Sequence, residues 1–259
     1  MASFGGFFLP FSRQTTTLTL LIILGLLSLV LVFGFVPPIP QDPAYHDFAP
    51  SKLKISNIPN TFNVITNIPF AIVGLWGLIF CRRLSETSAL WSWRLFFSGI
   101  ALTSIGSAYY HWDPNDATLA WDRLPMTIAF TSLFVALLSE QIGSKLENFL
   151  LIPLIAAGIS SVVYWRCTGD LRAYGIIQFF PLIALPPIIL ILPERYDTEH
   201  YLFWALIYYI AAKLFEANDH ETWKLIGFSG HALKHLLAAC SSFSILWMLI
   251  KRRSIIRKS

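Results

Sequence analysis

The sequence predicts an all-α fold, a polytopic membrane helix bundle with a seven-helix core and one additional N-terminal transmembrane helix. Three observations predict it. Hydrophobic residues make up 55% of the 259-residue chain and charged residues only 13%, about half the charge of an ordinary soluble domain. The apolar residues gather into eight stretches, most near the roughly 20 residues that a helix needs to cross a bilayer core. The connecting segments are short, with no internal repeat, low-complexity tract or second domain between them. The same composition excludes a disordered chain. The net charge is +4, with no basic stripe interleaved with aromatics, so nucleic acid is not an expected partner. Cys81, Cys167 and Cys240 lie far apart and form neither a disulfide framework nor a zinc-ribbon spacing.

The first span runs over about residues 17–36 and carries no charge. It is longer than the apolar run of about 7–15 residues in a signal peptide, and no A-x-A site comes after it. Pro37-Pro38-Ile39-Pro40 then makes a stiff exit, so the span is expected to be a retained anchor. The remaining spans cover about residues 61–80, 95–110, 121–138, 149–165, 174–192, 201–215 and 231–250. The expected organisation is an anchor helix and Pro-rich linker over 1–44, a seven-helix core over 45–250 and a basic tail over 251–259. Arg13, Arg82, Arg83, Arg94, Lys145, Arg195 and the tail bases Lys251, Arg252, Arg253, Arg257 and Lys258 fall on one side of eight spans. The positive-inside rule makes that side, with both termini, cytoplasmic.

Ionisable groups inside spans are costly and are functional candidates by default. The cytoplasmic ends hold ordinary flanking charges. The outer ends hold Ser107, His111, Asp122, His231 and His235. Ser107 and His111 share one helix face in GSAYYHW (106–112), and His231 and His235 share one in GHALKH (230–235), because positions four apart are neighbours on a helix. A short loop makes the third and fourth spans antiparallel neighbours, which brings Asp122 in WDRLPM (121–126) to the depth of His111. Asp122 is placed at its helix N-terminus, where the dipole favours a carboxylate. Three convergent histidines suit Zn2+, with the fourth position left for water. Such a metal activates water and polarises a carbonyl, Asp122 would act as acid/base and Ser107 would donate to the oxyanion. Taken singly, each residue has a structural explanation: an interfacial or capping histidine, an N-cap aspartate, a small packing serine. His46, His200 and His220 read as loop histidines. Lys234 is expected to face away from the histidine stripe and to bind a lipid phosphate or snorkel to the interface.

Through FNVITN (62–67), GSAYYH, WDRLPM and GHALKH, residues 45–250 resemble the alkaline ceramidase family. That family sits in the wider membrane hydrolase superfamily with progestin/adipoQ receptors and Per1-type lipid-remodelling proteins. The resemblance implies seven transmembrane helices around a zinc site, with His111, His231 and His235 as ligands. It implies that Asp122 holds the attacking water and that Ser107 steadies the oxyanion. The implied reaction cuts the N-acyl bond of a ceramide-like lipid, within the bilayer, to a fatty acid and a sphingoid base. The first span is additional to the family's seven. Some members bind Ca2+ through an acidic stretch before the first core helix. Here residues 45–60 keep Asp47, with Asn57, Asn60 and Asn63 as oxygen donors, while Lys52 and Lys54 add positive charge that disfavours Ca2+. Asp47, Asn63, Glu216 and Asp219 are candidates for a supporting or calcium-binding role. Two alternatives stay open: a related lipid hydrolase acting on an acyl ester, and a non-catalytic seven-helix receptor-like protein. A transporter is disfavoured, because the polar cluster lies at one end of the spans and no inverted repeat is visible. Oligomeric state is not legible.

Overall fold

The computed structural model describes residues 12–51, 58–84 and 89–253. Lys52, Lys54, Asn57, Arg257 and Lys258, for which the sequence carries expectations, lie outside the described residues. Among those described no strand occurs, and ten α-helices run in order: α1 (Arg13–Phe35), α2 (Thr61–Ile65), α3 (Ile68–Cys81), α4 (Leu90–Trp112), α5 (Asp116–Gln141), α6 (Lys145–Thr168), α7 (Arg172–Ile191), α8 (Tyr201–Ala217), α9 (Asp219–Ile226) and α10 (Gly230–Lys251). A single 3-10 turn, Pro43–His46, precedes α2.

All eight predicted spans are helical, and six helical segments are long and apolar enough to cross a membrane. α8 has 17 residues, and α4 is diluted by Ser92, Arg94, Ser98, Ser104 and His111. The second span is broken into α2 and α3 around Thr66 and Asn67, with Pro69 in the first turn of α3. Proline is tolerated there because that amide has no helical partner. α9 is not predicted by the sequence. Its eight residues, DHETWKLI, carry four charged or histidine side chains and read as loop.

The helix pairs α3–α4, α4–α5, α5–α6 and α8–α10 pack along one another. Trp93, Phe97, Leu246 and Leu249 form the centre of the main core. The turn between α4 and α5 is only residues 113–115. Asn115 closes it by accepting from the Ala117 and Thr118 amides, and Thr118 Oγ1 accepts from the Asn115 amide in return. This capping box starts α5 at Asp116. Asp122 therefore lies almost two turns inside the helix. The expectation that the helix dipole holds its carboxylate is corrected, because that effect fades within the first turn.

Charges at the opposite end of the bundle are not ordinary flanking charges either. Glu140 is buried and accepts from Arg252 Nη1 at 2.8 Å and from Trp93 Nε1 at 2.9 Å. These bonds tie the end of α10 to α4 and α5. A buried carboxylate at this depth is tolerable because both partners are charge-assisted or polar donors.

α1 lies against α7, with most of its apolar surface bare. The linker after α1 is anchored through Asp170. Its carboxylate accepts from the Ile39 amide at 3.2 Å, from Tyr164 at 3.1 Å and from Arg172 Nε at 2.8 Å. Arg172 also donates to the Val36 carbonyl at 2.7 Å, and the Leu171 amide donates to Ile39. The Arg172 guanidinium holds the Asp170 carboxyl down at about 2. Its ordinary value is about 3.9. The anchoring is therefore complete above about pH 4 and is lost as the pH falls towards 2. Asp170→Asn is expected to speed proteolytic cleavage of the 37–42 linker at pH 7, and in the wild type the same loosening appears only as the pH drops through that window. Equal cleavage rates at pH 7 would contradict the anchor.

Candidate metal centre

Two glycines let the site close. Pro125 has no amide hydrogen, so the Trp121 carbonyl four residues earlier has no intrahelical donor. Gly106 of α4 packs onto that carbonyl, and a Cβ there would collide with it. The close approach places Ser107 beside the Asp122 carboxylate. Gly230 does the same at the start of α10, where a Cβ would collide with the Phe215 carbonyl and crowd Asp219.

The last turn of α4 then delivers His111, and the first two turns of α10 deliver His231 and His235. All three are buried, and their ligand nitrogens lie within 4.8 Å of one another. His111 Nε2 faces His235 Nε2 at 3.3 Å. Among the described residues this is the only group of three or more His, Cys, Asp or Glu side chains spaced to hold a metal ion. Asp122 is not within that group.

Neighbours orient each ring. Thr66 Oγ1 donates to the Phe62 carbonyl at 2.6 Å and stands 3.0 Å from His235 Nδ1. Its single proton is committed to Phe62, so towards His235 it accepts. Nδ1 then carries the hydrogen and Nε2 turns a lone pair to the cluster. Asp219 accepts from the His231 amide at 3.0 Å, from Ser229 Oγ at 2.8 Å and from the Ala49 amide at 2.9 Å. Ser229 caps α10 by accepting from the Ala232 amide, and Asn63 Oδ1 stands 3.3 Å from it. Phe48 lies across the rings of His111 and His231, with centroids 4.6 and 4.7 Å away. His111 Nδ1 is buried with no hydrogen-bond partner among the described residues.

A cavity of about 360 Å³ runs from this cluster into the bundle. Ser107, Asp122 and His235 line its polar end; Phe96, Leu133, Leu185 and Ile245 are among the apolar side chains beyond. Glu216 lines it too, accepting from Tyr45 at 2.9 Å and from Lys213 and Lys234. Burial, and then the Glu216 carboxylate, hold the Tyr45 phenol well above its ordinary range, so it stays a donor.

The five residues predicted at the site, Ser107, His111, Asp122, His231 and His235, are brought together. Glu216 and Asp219 are built into its surroundings. Asn63 supports the α10 cap, whereas Asp47 is largely exposed, near His220. The expectation for Lys234 is corrected. It does not snorkel: its side chain is only 11% exposed, 2.8 Å from Glu216 Oε1 and 3.3 Å from His231 Nε2, because α8 presents a carboxylate opposite it. Thr66, Tyr45 and Phe48 are not anticipated by the sequence reading. Thr66 lies inside FNVITN, which is a signal of a kind; Tyr45 and Phe48 precede the core with no periodicity to mark them. His46 is more than a loop residue, bridging Tyr110 and Asp116.

A family model described as Ceramidase matches residues 53–258 of the chain. No curated protein matches it significantly.

Gly106→Val is expected to cost about 1–3 kcal/mol of stability, the usual range for overpacking, read by denaturation in detergent. Gly143→Ala, where the added Cβ meets nothing, is the control. Equal stability of both variants with the wild type would contradict the tight α4–α5 contact.

Proposed function

The chain belongs to the ceramidase family, which implies an amide-bond hydrolase of ceramide, and from that premise we propose that it is a membrane-embedded, zinc-dependent amidase. It cuts the N-acyl bond of ceramide-like lipids to a fatty acid and a free sphingoid base. The observation that carries the metal is the spacing of the donors. Two nitrogens bound to one zinc ion at about 2.0–2.1 Å with a tetrahedral angle stand about 3.3 Å apart, and His111 Nε2 and His235 Nε2 are 3.3 Å apart. Facing lone pairs at that distance repel unless a cation or proton lies between them. The donor set therefore fits zinc, held by His111, His231 and His235.

The chemistry that a bound zinc ion supplies is Lewis acidity towards water and towards a carbonyl. The protein's own groups do the rest. The Asp122 carboxylate takes a proton from the attacking water and later gives it to the departing amine. Ser107 donates a hydrogen bond to the oxygen that gains charge. The apolar stretch of the cavity takes up the acyl chain and keeps bulk water from the reacting carbon. Asp219 fixes the first turn of α10 and so aims His231, and Thr66 sets the tautomer of His235. In this reading both termini face the cytoplasm and the site opens near the outer or lumenal headgroups. An ester would be attacked by the same groups, so matched N-acyl and O-acyl lipids distinguish the two substrates.

Purified wild-type protein is expected to carry about one zinc ion per chain and to release fatty acid from an N-acyl sphingoid base. His231→Ala loses both metal and turnover. Asp122→Asn keeps the metal and loses at least about 10²-fold in kcat, the lower range for a general acid–base. Full turnover in His231→Ala, or faster cleavage of the O-acyl lipid, would overturn the reading.

A further inference from the structure

The polar end of the cavity holds more positive than negative charge. Among the described residues that line it are three cations, Arg123, Lys213 and Lys234, and two carboxylates, Asp122 and Glu216. Glu216 takes both lysines. Asp122 lies beside Ser107. Arg123 has the Asp122 carboxylate within electrostatic reach but makes no ion pair or hydrogen bond to a carboxylate among the described residues. It is 5% exposed, and its side chain donates to the neutral Gln41 Oε1 at 2.7 Å. Its Nη1 has no hydrogen-bond acceptor among the described residues.

Arg123 is also held in place. Its guanidinium lies 4.2 Å from the Trp165 ring centroid, 4.7 Å from Tyr174 and 5.8 Å from Tyr45. Aromatic faces attract the cation and fix its plane, but they do not neutralise it. A guanidinium carries five donors in a rigid fork, and a charge buried within a membrane bundle calls for a counter-charge. The fork matches the planar edge of an oxyanion with two hydrogen bonds.

We propose that Arg123 is a specificity-determining residue that binds an anionic headgroup, a phosphate or sulfonate, carried on the sphingoid-base side of the substrate. This inference rests on the ceramide-hydrolase reading and narrows its substrate to acidic lipids of that class. The residue directly succeeds Asp122 and sits with Gln41 and Ile39 of the linker after α1, where the chain crosses the polar end of the cavity. The carboxylate of the fatty-acid product instead forms beside Ser107, at the carbon that Asp122 and the histidines surround. A purely structural Arg123, clamping Gln41 to α6 and α7, would stabilise the fold without telling one headgroup from another.

The test measures binding to the full-length, metal-loaded protein in detergent. The probes are two sulfonamide analogues of an N-acyl sphingoid base, which resist cleavage, one with a free 1-hydroxyl and one with a 1-phosphate. The phosphate lipid is expected to bind at least about tenfold more tightly, and Arg123→Met is expected to bring the two lipids to the same affinity. Arg123→Gln serves if the methionine variant does not fold. Equal wild-type affinities, or a phosphate preference that survives both substitutions, would overturn the proposal. So would a fatty-acid affinity that falls in Arg123→Met as far as that of the phosphate lipid, which would assign the arginine to the product. Cleavage of the parent amides is measured separately. A protein that selects the phosphate lipid but cuts neither amide would keep the anionic site and refute the amidase.

Discussion

Three imidazoles turned towards one another inside a membrane bundle are the constraint on which the rest of the structure depends. Neutral ring nitrogens with facing lone pairs repel, and no bulk water is available to separate them. The arrangement holds because each ring is fixed from behind. Thr66 accepts the His235 proton, Asp219 ties the His231 backbone to Ser229 and Ala49, and Phe48 covers the His111 and His231 rings. These contacts come from the break between α2 and α3, from α9 and from the segment before the core, so elements distant in sequence must dock before the three nitrogens meet.

The carboxylates around the cluster have separate tasks because their neighbours differ. Glu216 is enclosed by two lysines and a phenol, which holds it as a fixed anion between α8 and α10. Asp219 has both oxygens occupied by its own chain. Asp122 is bounded by Ser107 and opens onto the cavity, which is why the proposed reaction assigns the proton transfer to it rather than to the other two. The segment over residues 37–49 belongs to the same machinery, although the family match begins at residue 53. It lays Ile39 and Tyr45 along the cavity, engages Arg123 through Gln41 and covers the histidines with Phe48.

Much of this is legible in the sequence, for a physical reason. Lipid leaves little choice of backbone, so each apolar stretch reads as a helix, and four-residue spacing puts His231 with His235 and Ser107 with His111 on common faces. The capping box N-D-A-T (115–118) is equally readable, but the apolar run of the fourth span begins later, and starting the helix there puts Asp122 at an end it does not occupy. α9 escapes notice because eight residues with a charged face give no membrane signal. Helical phase alone turns Lys234 outwards, because it cannot show that α8 brings Glu216 to meet it. Partners that depend on distant segments docking, such as Thr66 with His235 or Arg123 with Gln41, have no one-dimensional trace.

The central claim is that the three imidazoles hold a single zinc ion with a fourth position open to an oxygen donor. X-ray absorption at the zinc edge of the purified protein tests this most directly. The account predicts a four-coordinate site with three imidazole nitrogens and one oxygen at about 2.0–2.1 Å, lost in His111→Ala. A sulfur ligand, a fourth imidazole, or a spectrum unchanged by that substitution would contradict it.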